Sequence, residues 1–446
     1  MSAVIQNPII AGFALDPSIC LMEGFSYFPG LPIYTSINLE SWTHIGNAIN
    51  RRSRLSLAGA SAFIAPWDDG TPMVATGGLY APTIRHHKNT TYDIAPILHT
   101  LRTIHYSHQG HSIWKLPVPV FFTFPGIDPS LFFDDDDDRA YIQICKTGPE
   151  FHIYNLEIDI NIGNILTGPF LLWKGRAGRY TEGPHIYRKD GWYYLLCAEG
   201  DQKGRWWIVM LACRISEGRS ITGRESLLAA VDWKENEWPV IDAATLQYYQ
   251  EPPNVTSIET HSTAAWVCLR DAKTDQYSIQ GNKIKVKAES VELTSPSESA
   301  AFLGQRQRKI EGTARVTILN PKTEVRLRAG LALYKDEHRH IAIMVDLLEE
   351  LVLLESINRA QKSSQKETRN TPIGEKVSLR IDYTELSLHL SFKSTGASWC
   401  TLGVLDTSVM IGFDFTGPVI GVFAIGDDVH AKFENFEIDS IMTYEG

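Results

Sequence analysis

The sequence has no paired-cysteine framework, no excess of basic residues and no long apolar run, and each absence removes a class of protein. Its six cysteines (Cys20, Cys145, Cys197, Cys213, Cys268 and Cys400) are scattered without C-x-x-C spacing, which argues against a zinc site or a disulfide scaffold and for buried free thiols. Lys and Arg number 42 against 52 Asp and Glu, a net charge of −10, so there is no basic footprint for nucleic acid or an anionic membrane. No stretch reaches the ~18 apolar residues of a spanning helix. Residues 1–10 lack a basic segment followed by an apolar run, so the expected location is cytoplasmic, or secreted if the N-terminus is incomplete. Only in the secreted case would the sequons at Asn89 and Asn254 matter.

What is present is a 446-residue chain rich in aromatics, with 11 Trp, 17 Tyr and 18 Phe. That length exceeds one ordinary core and suggests two domains. Up to about residue 245 short strand-like runs alternate with Gly, Pro and Asp, a pattern of all-β structure. An internal repeat sharpens it. Asp16-Pro17-Ser18-Ile19 recurs as Asp128-Pro129-Ser130-Leu131, and Ala81-Pro82-Thr83-Ile84 and Gly183-Pro184-His185-Ile186 share the Pro-x-aliphatic core. Each unit reads as strand, polar turn (Arg85 to Thr91, Asp134 to Arg139, Arg188 to Gly191) and aromatic strand. Successive prolines lie 65, 47 and 55 residues apart, close to the ~40–50 of propeller blades.

The repeat also shows a gap. Gly204-Arg205-Trp206-Trp207-Ile208-Val209 copies Gly191-Trp192-Tyr193-Tyr194-Leu195-Leu196, yet only 13 residues separate the two glycines. The strand that should precede the second hairpin is missing.

Asp16 and Asp128 precede proline at equivalent repeat positions, and Glu182 stands just ahead of Gly183-Pro184 in another unit. A lone Asp-Pro-Ser is most often a strand-entry turn. In a propeller, however, equivalent positions on the innermost strands converge on the central axis, so three carboxylates from different blades would share one pocket. Paired carboxylates flanking a glycosidic bond are the usual machinery of its hydrolysis.

These motifs, together with Phe25-Ser26-Tyr27-Phe28-Pro29-Gly30 and Tyr180-Thr181-Glu182-Gly183-Pro184-His185, resemble glycoside hydrolase family 43, which contains β-xylosidases and α-L-arabinofuranosidases. The resemblance implies an all-β fold: a five-bladed β-propeller, incomplete here, over 1–250, a linker over 251–276, and a concanavalin A-like β-sandwich over 277–446. It implies Asp16 as general base, Glu182 as general acid and Asp128 as the carboxylate that tunes the acid. It also implies Phe25, Tyr80, Arg224 and Phe415 (or Phe413) as substrate-binding residues, with Tyr80 standing where the family usually has Trp. The expected partner is a xylo- or arabino-oligosaccharide, cleaved with inversion; no cofactor or metal is implied, and xylose or arabinose preference stays open. Where the family has an intervening blade, Ala198-Glu199-Gly200 runs through Asp201-Gln202-Lys203 straight into Gly204, and no residue matches the family's axial histidine. A catalytically impaired remnant, or a carbohydrate-binding protein, is therefore the rival reading.

In the second half, Val377, Leu379 and Ile381, then Leu386, Leu388, Leu390 and Phe392, alternate with period two around Tyr383-Thr384, as in a sandwich hairpin. Ile341 to Ile357 reads as two strands turning near Glu349-Glu350. Three weaker signals take plain readings. Asp134 to Asp138 lacks the alternating ligands of a calcium loop and reads as a solvated turn. His105, His108 and His111 read as loop residues, not metal ligands. Asp93 to Val118 shows little blade-like patterning.

Overall fold

The fold was analysed in a computed structural model, which describes residues 31–35, 42–48, 55, 60–66, 70–76, 78–97, 102–109, 117–148, 151–175, 181–189, 191–197, 206–215, 219–232, 240–241, 266–320, 325–412 and 416–440. Among these residues every regular element is a β-strand apart from two short 3-10 turns, and every strand ladder is antiparallel.

The C-terminal half is a sandwich of two seven-stranded sheets. One runs from the short edge strand Val267–Cys268 through Phe302–Arg306, Val419–Gly426, Leu327–Asp336, Arg339–Asp346 and Leu351–Asn358 to Ser363–Asn370. The other contains Lys376–Tyr383 and Ser387–Ser394, which pair as the alternation of their sequences demands. Val377, Leu379, Ile381, Leu388, Leu390 and Phe392 all point inward, each worth roughly 1.5–3 kcal/mol on full burial of a large aliphatic side chain. Arg339–Asp346 departs from alternation and is buried at every position. The reason is that the sheet's second face is also covered: Met344, Phe302 and Phe423 pack there against Leu293 and Ala300 from the preceding segment. Val267–Cys268 lies inside the stretch read as linker, so the sandwich sheet recruits part of it.

The N-terminal half is a set of small sheets. Thr83–His87, Thr90–Ile97, Arg102–Gln109 and Val118–Val120 form one four-stranded sheet, and Gly126–Asp134, Arg139–Lys146, His152–Asp159 and Asn164–Trp173 form the next. They share a core that includes Ile94, Val120, Leu131, Ile142 and Leu156. Gly126–Asp134 has Thr83–His87 on one side and His185–Lys189 on the other, so the first strands of three repeat units stand next to one another. Two expectations are corrected here. The stretch from Asp93 to Val118 contributes strands, and His105 and His108 lie in one of them; cross-strand pairing supplies order that the polar Ser-His-Gln composition conceals. The cysteines are also less buried than expected: of the described ones only Cys145 is buried, and Cys268 is exposed on an edge strand. The acidic run forms the turn between Gly126–Asp134 and Arg139–Lys146.

Among the described residues His185–Lys189 and Trp192–Leu196 form a two-stranded sheet, as do Pro32–Thr35 with Thr43–Asn47 and Ala62–Pro66 with Pro72–Thr76, while Trp206–Cys213, Arg224–Asp232 and Val240–Ile241 form one of three strands. Trp192 is 69% exposed and Tyr193 51%, and Phe170 is 57% and Trp173 44% exposed on the outer strand of the preceding sheet.

The two halves are clamped together. Glu337, at a sandwich hairpin, accepts the Ala62 backbone N–H at 2.6 Å and pairs with Arg270 at 3.1 Å. Arg214 is buried against Glu225 through two bonds of 2.6 and 2.7 Å and donates to the Arg308 carbonyl at 2.9 Å. Breaking a buried pair of this kind costs about 3–5 kcal/mol, because one charge is left uncompensated.

Candidate active site

Asp128 sits near the start of Gly126–Asp134 with a left-handed backbone, φ +52°. That conformation costs a non-glycine residue on the order of 1–2 kcal/mol and persists only where surroundings enforce it. Two features enforce it here. The ladder to Arg139–Lys146 slips between Gln143 and Cys145, opposite this bend, and the Asp128 carboxylate accepts the Gly183 backbone N–H at 3.0 Å. Gly183 is itself left-handed, at φ +59°.

Glu182 immediately precedes that glycine and is half-buried. Behind both lies the buried Cys145 thiol, which donates to the Thr181 carbonyl at 3.0 Å. Burial pushes this thiol's pKa up, and the negative charges of Asp128 and Glu182 push it further. Asp128 thus reaches from its own sheet to the backbone next to Glu182. Asp16, Phe25, Phe413 and Phe415 lie outside the described residues.

Tyr80 is half-buried just before the left-handed Ala81, at the entry to Thr83–His87. Arg224 opens Arg224–Asp232, directly after Gly223. Gly223 has φ +73°, and a Cβ there would lie 2.5 Å from the Gly417 nitrogen. The propeller strand carrying Arg224 therefore starts in close contact with sandwich residues 416–417, the segment just after Phe415. No cluster of three or more His, Cys, Asp and Glu suited to a metal ion occurs among the described residues.

Sequence reasoning missed a polar network beside the carboxylates. The Arg85 guanidinium donates from Nε to the Leu131 carbonyl (3.1 Å), from Nη1 to the Ile84 carbonyl (2.8 Å) and from Nη2 to His185 Nδ1 (2.8 Å). Ser130 Oγ lies 3.0 Å from the same His185 nitrogen. A signal for it existed: Ser130 and His185 both directly follow the repeat proline, and Arg85 follows Pro82 by three residues.

The fold and the paired carboxylates define a two-domain, carbohydrate-hydrolase-like β-protein, and comparison with known proteins narrows this. Residues 5–204 match the family model described as glycosyl hydrolases family 43, and residues 259–439 match the β-xylosidase C-terminal concanavalin A-like domain. The chain belongs to glycoside hydrolase family 43 and is a glycosidase of the xylosidase/arabinosidase type. It is 28% identical to a xylosidase/arabinosidase of Butyrivibrio fibrisolvens, over 77% of this chain and 80% of that protein. It is 24% identical to a non-reducing end α-L-arabinofuranosidase of Bacteroides ovatus, over 95% of this chain and 91% of the relative. That second alignment runs for 516 positions, more than the chain's 446 residues, so the relative carries many positions with no counterpart here. Among solved structures, a xylan β-1,4-xylosidase from Bacillus halodurans superposes with a TM-score of 0.81 at 21% identity, covering 98% of this chain and all of that one. The shared fold is a β-propeller followed by a β-sandwich.

Proposed function

We propose that the chain hydrolyses terminal xylo- or arabino-configured units of hemicellulose oligosaccharides with inversion, Glu182 acting as general acid, Asp128 as its modulator and Asp16 as general base. The observation that carries this reading is the Asp128 carboxylate anchored on the backbone N–H next to Glu182. A carboxyl group beside a fixed negative charge holds its proton to higher pH, since two adjacent charges repel, and a proton retained near neutrality is what an acid catalyst needs. Asp16, from another repeat unit, would activate water from the opposite side, and inversion calls for about 6.5–9.5 Å between base and acid. Phe25, Tyr80, Arg224 and Phe415 would bind the sugar, the arginine through its hydroxyls and the aromatics through their faces. The names of the Butyrivibrio and Bacteroides relatives support a pentose as the terminal unit.

The test uses leaving groups. Glu182→Gln is expected to lose about 10²–10⁴-fold on a methyl glycoside, the usual contribution of general acid catalysis, and much less on a nitrophenyl glycoside, whose leaving group departs without a proton. Equal losses on both would remove Glu182 from the acid role. Proton NMR of the first-formed sugar should show inverted configuration, and retention would sink the mechanism.

A second reading has its own observation. The two-stranded sheet and the exposed aromatics around it favour a catalytically impaired protein in which the propeller is open.

A further inference from the structure

Arg85 is charged, makes bonds to three separate strands, and has no part in the acid–base scheme. Its fork links its own strand, Thr83–His87, to Gly126–Asp134 through the Leu131 carbonyl, and to His185–Lys189 through His185 Nδ1. A guanidinium can only donate hydrogen bonds, so Nδ1 must be the acceptor and the imidazole proton must sit on Nε2. The Ser130 hydroxyl, 3.0 Å from the same unprotonated nitrogen, is then the donor in that contact. Burial, with the Arg85 charge beside it, lowers the His185 pKa to about 3. The ring is thus neutral, with one tautomer and one orientation.

The position of this network matters more than its strength. Ser130 lies two residues beyond Asp128 and His185 three beyond Glu182, a separation of about 7–10 Å along extended chain. Asp128 is held in a left-handed conformation that an unrestrained strand would abandon, and its carboxylate reaches the other segment through one backbone N–H. Any slip between Gly126–Asp134 and the 181–185 segment would move the two carboxyl groups apart.

We propose that Arg85 is a positioning residue for the acid side of the site: acting through Ser130 and His185, it locks the strand bearing Asp128 against the segment bearing Glu182. The proposal rests on the acid–base reading given above. Arg85 touches no reacting atom in this scheme, so its removal acts on how accurately the carboxyl groups are placed.

Three variants of the full chain test it. Arg85→Met keeps length but has no donors. His185→Phe keeps a ring but has no acceptor. His185→Asn presents its Oδ1 near the former Nδ1 position and keeps the acceptor. With methyl and nitrophenyl glycosides of the preferred pentose, Arg85→Met and His185→Phe are expected to lose on the order of a hundredfold in kcat on the methyl glycoside, the penalty for about 1 Å of misplacement. Their loss on the nitrophenyl glycoside should be far smaller, and KM should stay nearly unchanged, because the defect lies in proton delivery. His185→Asn should recover most of the lost rate. Should Arg85→Met fail to fold, the two His185 variants carry the test between them. Nitrogen-15 NMR supplies a readout independent of turnover: His185 should be the neutral Nε2–H tautomer in the parent chain and lose that preference in Arg85→Met. Equal rates for His185→Phe and His185→Asn, with Glu182→Gln still separating the two glycosides, would overturn the positioning role alone. If Glu182→Gln fails to separate them, the acid–base reading falls and the proposal with it.

Discussion

The sandwich and the propeller are built from the same antiparallel ladders, yet their described strands assemble differently. Each sandwich sheet has seven strands, and its inner side chains meet those of the facing sheet in one closed core. Among the described residues the propeller holds two four-stranded sheets, one of three strands and three of two, and Trp192 and Tyr193 on one of the latter are exposed. A sandwich closes by pairing two faces, whereas a propeller closes only when every blade has a neighbour on both sides. A missing segment in the second architecture therefore damages more than the blade it came from.

The largest expected effect follows directly. Inserting the missing strands between Gly200 and Gly204 should cover Phe170, Trp173, Trp192 and Tyr193 and raise turnover on the order of a hundredfold or more, since catalytic groups displaced by about 1 Å already lose that much. The parent chain should aggregate or melt early, as expected of a contiguous exposed apolar patch. Light scattering and turnover on a nitrophenyl pentoside check both. Equal activity in parent and restored chains would show that the open ring still holds its carboxylates in place.

A smaller effect sharpens the contrast. Scanning calorimetry should resolve two transitions, the propeller first and the sandwich second. Ile343→Ala, at a fully buried position between the two sandwich sheets, should cost about 2–5 kcal/mol and lower only the upper transition. A single transition shifted as a whole would mean that the Arg214–Arg308 and Ala62–Glu337 contacts join the halves into one cooperative unit.

The same contrast explains what could be read in the sequence. Sandwich strands such as Lys376–Tyr383 face solvent on one side, so period-two alternation displayed them directly. The repeat prolines Pro82, Pro129 and Pro184 announced strands that do stand side by side. The polar run around His105 gave no such signal, because pairing to Thr90–Ile97 sets its conformation and composition does not. The approach of Asp128 to the segment bearing Glu182 was legible because Asp128 directly precedes one repeat proline and Glu182 stands one residue further ahead of another. The Arg85–Ser130–His185 network was only half legible: the repeat prolines mark the three positions, but side chains crossing between blades are revealed by no single unit.

The smallest expected effect concerns a weak point inside an otherwise well-packed blade. Asp93 lies in the central strand Thr90–Ile97, where Tyr92 and Ile94 face the neighbouring blade's core and Asp93 takes the opposite face. It is 2% exposed, and its Oδ1 has no hydrogen-bond partner among the described residues. Burial raises its pKa to about 7, well above the ordinary value near 4. The folded state therefore binds this proton more tightly than the unfolded state does. The sign follows: stability is greatest below pH ~4, falls as the pH rises towards 7, and is flat above that, where the folded state must carry a buried charge. Asp93→Leu removes both the charge and the orphaned oxygen. It should stabilise the propeller transition by about 1–3 kcal/mol at pH 8, the usual cost of an unsatisfied buried polar group, and by progressively less towards pH 4. Denaturation of the two proteins across that range measures the difference, and a gain that does not shrink on acidification would show that burial does not raise the Asp93 pKa.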